Sequence, residues 1–90
     1  MSSAERTAEI VNQRGLHARA AAKFATLAGE FEAEISVSKG GQTVSGRSIM
    51  GLMMLAAGIG SEVTLSAKGP DAEAALDAIC ELIADRFQED

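Results

Sequence analysis

The chain has 90 residues, enough for one domain, and a domain this small buries only roughly 60% of its unfolded surface, so any chemistry must sit at or near the surface. Apolar residues make up 47% of it, and three Phe with no Trp or Tyr make the expected core an aliphatic one. Thirteen acidic against eight basic residues leave a net charge of −5, which argues against nucleic acid and anionic membrane surfaces as partners, since both call for clustered Lys and Arg.

The opening Met1-Ser2-Ser3-Ala4-Glu5-Arg6 has no hydrophobic core of a signal peptide. Residues 1–5 are expected to form a flexible tail on a single domain spanning 1–90. From Arg6 to Val11, Thr7, Glu9 and Val11 alternate with Ala8 and Ile10, the pattern of a short strand. Asn12-Gln13-Arg14-Gly15 interrupts it. An Ala-rich stretch then predicts a helix from His17 to about Gly29, with Ala21, Phe24, Ala25 and Ala28 on one face and Gly29 as its stop. Glu34 to Lys39 alternates with period two, Gly40-Gly41 signals a tight hairpin, and Gln42 to Ser45 returns.

Ser48 opens a short helix running to Leu55 or Ala56, broken by Gly58 and Gly60. Glu62 to Lys68 is the clearest strand, with Val63, Leu65 and Ala67 on one side. Gly69-Pro70-Asp71 leads into a final helix from about Asp71 to Phe87, whose stripe is Ala75, Leu76, Ile79, Leu82 and Ile83. The order βαββαβα predicts an α+β domain, a four-stranded antiparallel sheet with three helices on one face.

No apolar run approaches the roughly 18 residues of a membrane span. The single Cys80, set beside the last apolar stripe, excludes an internal disulfide, and one cysteine with one histidine cannot by themselves build a structural zinc site. No metal or cofactor is expected, and the expected setting is the cytoplasm. Glu81, Asp85, Glu89 and Asp90 read as a solvated acidic end, and Cys80 as a buried, inert thiol.

One titratable group is placed for chemistry: His17, in Gly15-Leu16-His17-Ala18-Arg19, where a loop becomes a helix. The first N–H groups of a helix, here those of Ala18 and Arg19, lack internal partners and carry positive potential that welcomes an anion. Arg19 adds a permanent charge and a planar fork of donors suited to phosphate. Together they suit an imidazole that accepts and releases a phosphoryl group. By geometry alone a lone histidine at a helix start is more often a surface or capping residue.

Gly15-Leu16-His17-Ala18-Arg19, followed about thirty residues later by Arg47-Ser48-Ile49-Met50-Gly51-Leu52-Met53, resembles the HPr family of phosphocarriers of the phosphoenolpyruvate-dependent phosphotransferase system. The similarity runs from about Thr7 to Phe87. It implies an open-faced β-sandwich, and it implies that His17 takes phosphate on Nδ1 from phosphorylated enzyme I and hands it to a histidine of an enzyme IIA. Arg19 matches the family's phosphate-facing arginine. One departure stands out: the family's proline after that arginine is Ala20 here, and a looser helix start with some effect on transfer rate is expected.

The second motif has two readings that are compatible. Ser48 is a good N-cap worth about 1 kcal/mol, and it also matches the serine that a dedicated HPr kinase/phosphorylase phosphorylates with ATP in Gram-positive and many proteobacterial members. A phosphoserine there would add charge at a helix N-terminus, which tolerates it, and so would gate partner choice rather than unfold the chain. Leu52, Leu55 and Ile59 are assigned to the core, while Ile49, Met50 and Met53 make a second stripe that could face outward, although all six could be core. The resemblance supports a docking face of Arg47, Ile49, Met50 and Met53 beside His17 for enzyme I, enzyme IIA and the kinase.

The expected role is therefore a monomeric phosphocarrier, phosphorylated stoichiometrically and not itself an enzyme on a small molecule. Asn12-Gln13-Arg14-Gly15, Phe31 to Ile35 and Gly69-Pro70 look like the nitrogen-related branch, and Arg47 to Leu55 like the kinase-regulated one. The alternative is an adaptor gated at the serine, which binds a transcription factor or enzyme without phosphoryl relay. An acyl carrier is disfavoured by the strands and by Arg47, where an acidic residue would precede the serine.

Overall fold

A period of two sets the sheet. In the computed structural model, which describes residues 2–89, the strands are β1 (Ser3–Glu9), β2 (Glu34–Lys39), β3 (Gln42–Ser45) and β4 (Glu62–Lys68). They form one four-stranded sheet in the order β1-β4-β2-β3, antiparallel throughout. Val63, Leu65 and Ala67 of β4 and Ile35 and Val37 of β2 alternate into the core, while serines, threonines and glutamates occupy the opposite, solvent-facing positions. Gly40 and Gly41 turn the β2–β3 hairpin with φ of 57° and 84°, the left-handed pair that a two-residue turn requires.

Three helices, α1 (Ala18–Ala28), α2 (Ile49–Met54) and α3 (Ala72–Ala84), cover the apolar face. Phe24 of α1, Leu52 of α2, and Leu76 and Ile79 of α3 are each no more than 1% exposed. α3 lies over β1 and β4, and α1 packs between α2 and α3. Arg6 of β1 reaches both Glu73 and Asp77 of α3 at 2.9 Å, fastening the edge strand to the helix above it. The architecture is the antiparallel sheet with segregated helices that the element order predicts.

Several features differ from expectation, among them the end of β1, expected at Val11 and found at Glu9. Ser3, Ala4 and Glu5 are no tail: they pair with Lys68, Ala67 and Ser66 of β4, because that strand is long enough to template them. Met1 and Asp90 lie outside the described residues. α3 stops at Ala84 and does not continue to Phe87. The chain instead doubles back through Arg86, Phe87 and Gln88, with φ of 55°, 54° and 64°. Each left-handed non-glycine residue costs about 1–2 kcal/mol, and full burial of the Phe87 ring, worth about 1.5–3 kcal/mol, offsets part of the total. Ile59, expected in the core, is 62% exposed, since Ala56 takes a φ of 53° and turns the chain before the helical stripe can extend to it.

Asp71 does not cap its own helix. Its carboxylate accepts from the backbone N–H of Glu32 at 2.9 Å and of Ala33 at 2.8 Å, pinning the α1–β2 loop to the start of α3. Those bonds, the one from Glu32 first, hold its carboxyl below the usual aspartate range.

Candidate functional site

His17 owes its position to the loop before it. Leu16 is buried and donates its N–H to the carbonyl of Ala57 at 2.9 Å, tying the loop to the chain beyond α2. Gly15 precedes it with φ of 64°, and a Cβ there would lie 2.3 Å from the Ala57 oxygen and 2.8 Å from Gly58 Cα. Only glycine fits this approach. Asn12, 1% exposed, donates from Nδ2 to the carbonyl of Gly15 at 2.8 Å and closes the turn.

His17 is the N-cap of α1, with extended backbone (φ −73°, ψ 178°), and its carbonyl starts the helical bonds by accepting from Ala21 at 2.8 Å. No side chain caps this N-terminus. Ala18 and Arg19 are its first two residues and both are exposed, so the free N–H end opens to solvent beside the imidazole. Ala20 is buried in that first turn, which forms without proline.

The imidazole has a partner that its sequence neighbourhood does not reveal. Nε2 of His17 is bonded to Oε2 of Glu89, and Oε1 of the same carboxylate accepts from Asn12 Nδ2 at 3.0 Å. The two side chains are 16% and 20% exposed, so the contact is largely shielded from water. The bonds from Asn12 and then His17 hold the Glu89 carboxyl below the usual glutamate range. Glu89 was expected on a solvated acidic face. The left-handed turn corrects that, because it redirects the chain past α3 and lays Glu89 over the His17 loop.

Arg19, Arg14, Lys23 and Arg86 line one concavity together with Asn12 and Glu89, so half of the eight Lys and Arg of this acidic chain gather around the two residues of the Asn12–Glu89 bond. Lys23 donates to the carbonyl of Phe87 at 2.8 Å. No hydrogen bond joins Arg19 to His17 among the described residues.

Ser48 is the N-cap of α2, and its Oγ accepts from Gly51 N–H at 2.9 Å. A Cβ on Gly51 would meet both Ser48 Oγ and Val44 Cβ at 3.0 Å, which accounts for a glycine inside so short a helix. Leu52 and Leu55 are core, whereas Ile49, Met50 and Met53 are 43%, 69% and 40% exposed and form an outward face. Met54, 66% exposed, belongs to it as well; its spacing of four from Met50 was the signal for it. Arg47 is engaged rather than free, donating from Nη2 to the carbonyl of Phe31 at 2.5 Å. Cys80 is half-buried, and burial pushes its thiol up from the usual range. Among the described residues, no helix is long and apolar enough to cross a membrane, and no cluster of three His, Cys, Asp or Glu is poised around a metal position.

Comparison with known proteins fits this geometry. The PTS-HPr family, described as the PTS HPr component phosphorylation site, matches residues 4–85. The phosphocarrier protein HPr of Cupriavidus necator is 54% identical over 85 residues, covering 94% of this chain and 96% of the relative. The phosphocarrier protein NPr of Shewanella violacea is 52% identical over 89 residues, covering 99% and 98%. Among solved structures, HPr-C-His from Thermoanaerobacter tengcongensis superposes with a TM-score of 0.92 at 45% identity, covering 97% of this chain and 98% of that one. With a family match across nearly its whole length and relatives at about half identity, the chain belongs to the HPr family of phosphocarrier proteins of the phosphotransferase system.

Proposed function

We propose that His17 is the phosphoryl acceptor of this phosphocarrier, taking the group on Nδ1 from phosphorylated enzyme I and passing it to a histidine of an enzyme IIA. The observation that carries this reading is the seat of the imidazole, at the uncapped N-terminus of an 11-residue helix with Nε2 engaged by Glu89. The N–H groups of Ala18 and Arg19 and the Arg19 guanidinium would hold the oxygens of the phosphoryl group as it moves between donor and acceptor. Transfer replaces one N–P bond by another and needs neither metal nor cofactor from this chain. Phosphorylation of the purified protein with enzyme I and phosphoenolpyruvate, read by intact mass, tests it. One acid-labile phosphate on the wild type and none on His17→Ala is the expected result. No labile phosphate with an enzyme I active on a control carrier would leave the serine-gated adaptor as the working role.

The face of Ile49, Met50, Met53 and Met54 suits docking of enzyme I and enzyme IIA, because flexible, polarizable methionines adapt to more than one partner. Arg47 serves that face less directly, as a brace on the Phe31 loop. Ser48 is proposed as the site of an ATP-dependent HPr kinase/phosphorylase. Its phosphate would sit at a helix N-terminus, where negative charge is tolerated, and would repel acidic or phosphorylated partners at the adjoining face. Incubation with such a kinase and ATP should give an acid-stable phosphate that Ser48→Ala lacks. Comparable identity to an HPr and an NPr is compatible with a sugar-uptake or a nitrogen-related chain. A monomer acting in the cytoplasm fits transient docking to both partners.

A further inference from the structure

We infer that Glu89, held by Asn12, is a positioning residue that sets the proton and the charge balance of the His17 ring for phosphoryl transfer; this rests on His17 being the acceptor. The observations are a chain of three side chains. Asn12 Nδ2 donates to Glu89 Oε1 at 3.0 Å, and Glu89 Oε2 is bonded to His17 Nε2. A carboxylate has only acceptor sites, so the shared proton resides on Nε2. The other ring nitrogen, Nδ1, is then the one with a free lone pair. Among the described residues Nδ1 has no hydrogen bond, and it is not among the buried atoms lacking one; only Asn12 Oδ1 is.

The charge argument follows from the bonds made and broken. The Nδ1 lone pair forms the new N–P bond as the donor histidine's N–P bond breaks and its electron pair returns to the donor nitrogen. The Nε2 proton stays throughout, so the imidazole passes from neutral to cationic. Glu89 faces that developing charge from a site where both side chains are largely shielded from water, and there a carboxylate acts strongly. Arg19 and the helix N-terminus attend to the phosphoryl oxygens, leaving the ring's own charge to Glu89.

The placement is built rather than incidental. Phe87, fully buried, anchors the three consecutive left-handed residues that turn the chain back, and Lys23 binds the Phe87 carbonyl at 2.8 Å. Asn12 is itself 1% exposed and uses both protons of its amide nitrogen, one on Gly15 and one on Glu89, so the loop that positions His17 also positions its carboxylate.

His17 is the sole histidine, so its ring is read without ambiguity in nitrogen-15 NMR of the full chain. The wild type should show a downfield, slowly exchanging proton on Nε2. Glu89→Ala should lose that signal, while Glu89→Gln, which keeps an acceptor oxygen but no charge, should retain it. In phosphorylation by enzyme I, both variants should be slower than wild type, Glu89→Ala by roughly tenfold, the scale of a charge-assisted hydrogen bond. A Glu89→Ala ring spectrum identical to that of the wild type, or wild-type rates in both variants, would overturn the inference. The NMR readout uses no enzyme I, so it decides the positioning of the ring even if His17 proves not to be the acceptor.

Discussion

Lys23 donates from Nζ to the carbonyl oxygen of Phe87 at 2.8 Å, joining the middle of α1 to a turn 64 residues further along the chain. That one bond couples the helix that begins at His17 to the segment that carries Glu89. Lys23→Met keeps much of the aliphatic stem and deletes the donor. The expected loss is about 1 kcal/mol, or a fall of about 4–8 °C in Tm for a domain of this size. Amide exchange should accelerate first in residues 85–89. Unchanged protection there would show that Phe87 alone holds the turn.

Gly15 bears the largest penalty for substitution near the site. Gly15→Ala combines a left-handed backbone with a Cβ set 2.3 Å from the Ala57 oxygen. Left-handed strain of about 1–2 kcal/mol and overpacking of about 1–3 kcal/mol place the cost near 3 kcal/mol. Urea denaturation measures it. Because the loop must shift to relieve the clash, phosphorylation at His17 should fall even at temperatures where the variant remains folded.

Two carboxylates make the fold acid-sensitive in a defined direction. Asp71 and Glu89 are held below their ordinary values of 3.8 and 4.5 by hydrogen bonds made only in the folded chain. Their stabilising contribution is complete above those values and is lost as the pH falls through the lowered ones. Asp71→Asn places an amide NH2 where one of two backbone N–H groups must be accepted, so it should destabilise at pH 7. It should also narrow the difference between urea midpoints at pH 7 and pH 3. A difference as wide as that of the wild type would show that Asp71 is not a source of the acid sensitivity.

Ser48 separates capping from regulation. Ser48→Ala should cost about 1 kcal/mol through the lost bond to Gly51 N–H, whereas Ser48→Asp, an equally good cap, should be close to neutral. Urea midpoints read the first effect. Partner affinity reads the second: Ser48→Asp should weaken association with enzyme I although stability is preserved.

Much of the molecule was legible along the chain because its signals are local. Period-two alternation placed β2, β3 and β4 at their observed bounds, and Gly40-Gly41 placed the hairpin, since side-chain direction and turn chirality depend only on near neighbours. His17 at a helix start, Arg19 in its first turn and Ser48 as a cap were visible for the same reason. The full set of outward methionines was within reach from spacing alone, although Met54 was overlooked.

What the chain does at its ends was decided elsewhere. Ser3 to Glu5 form a strand because β4 offers them a ladder, which no pattern within those residues encodes. Arg86, Phe87 and Gln88 leave the helical path and bury the Phe87 ring in the core, which offsets part of the cost of three unfavourable backbone conformations. From that reversal follows the contact between residues 17 and 89, and with it the buried role of Asn12. The sequence by itself placed a lone histidine at the start of a helix, since that is a feature of consecutive residues, and its resemblance to a known family pointed to that histidine as the proposed acceptor. Only the tertiary structure decided which carboxylate stands behind the ring, because that contact exists solely through packing between segments remote in the chain.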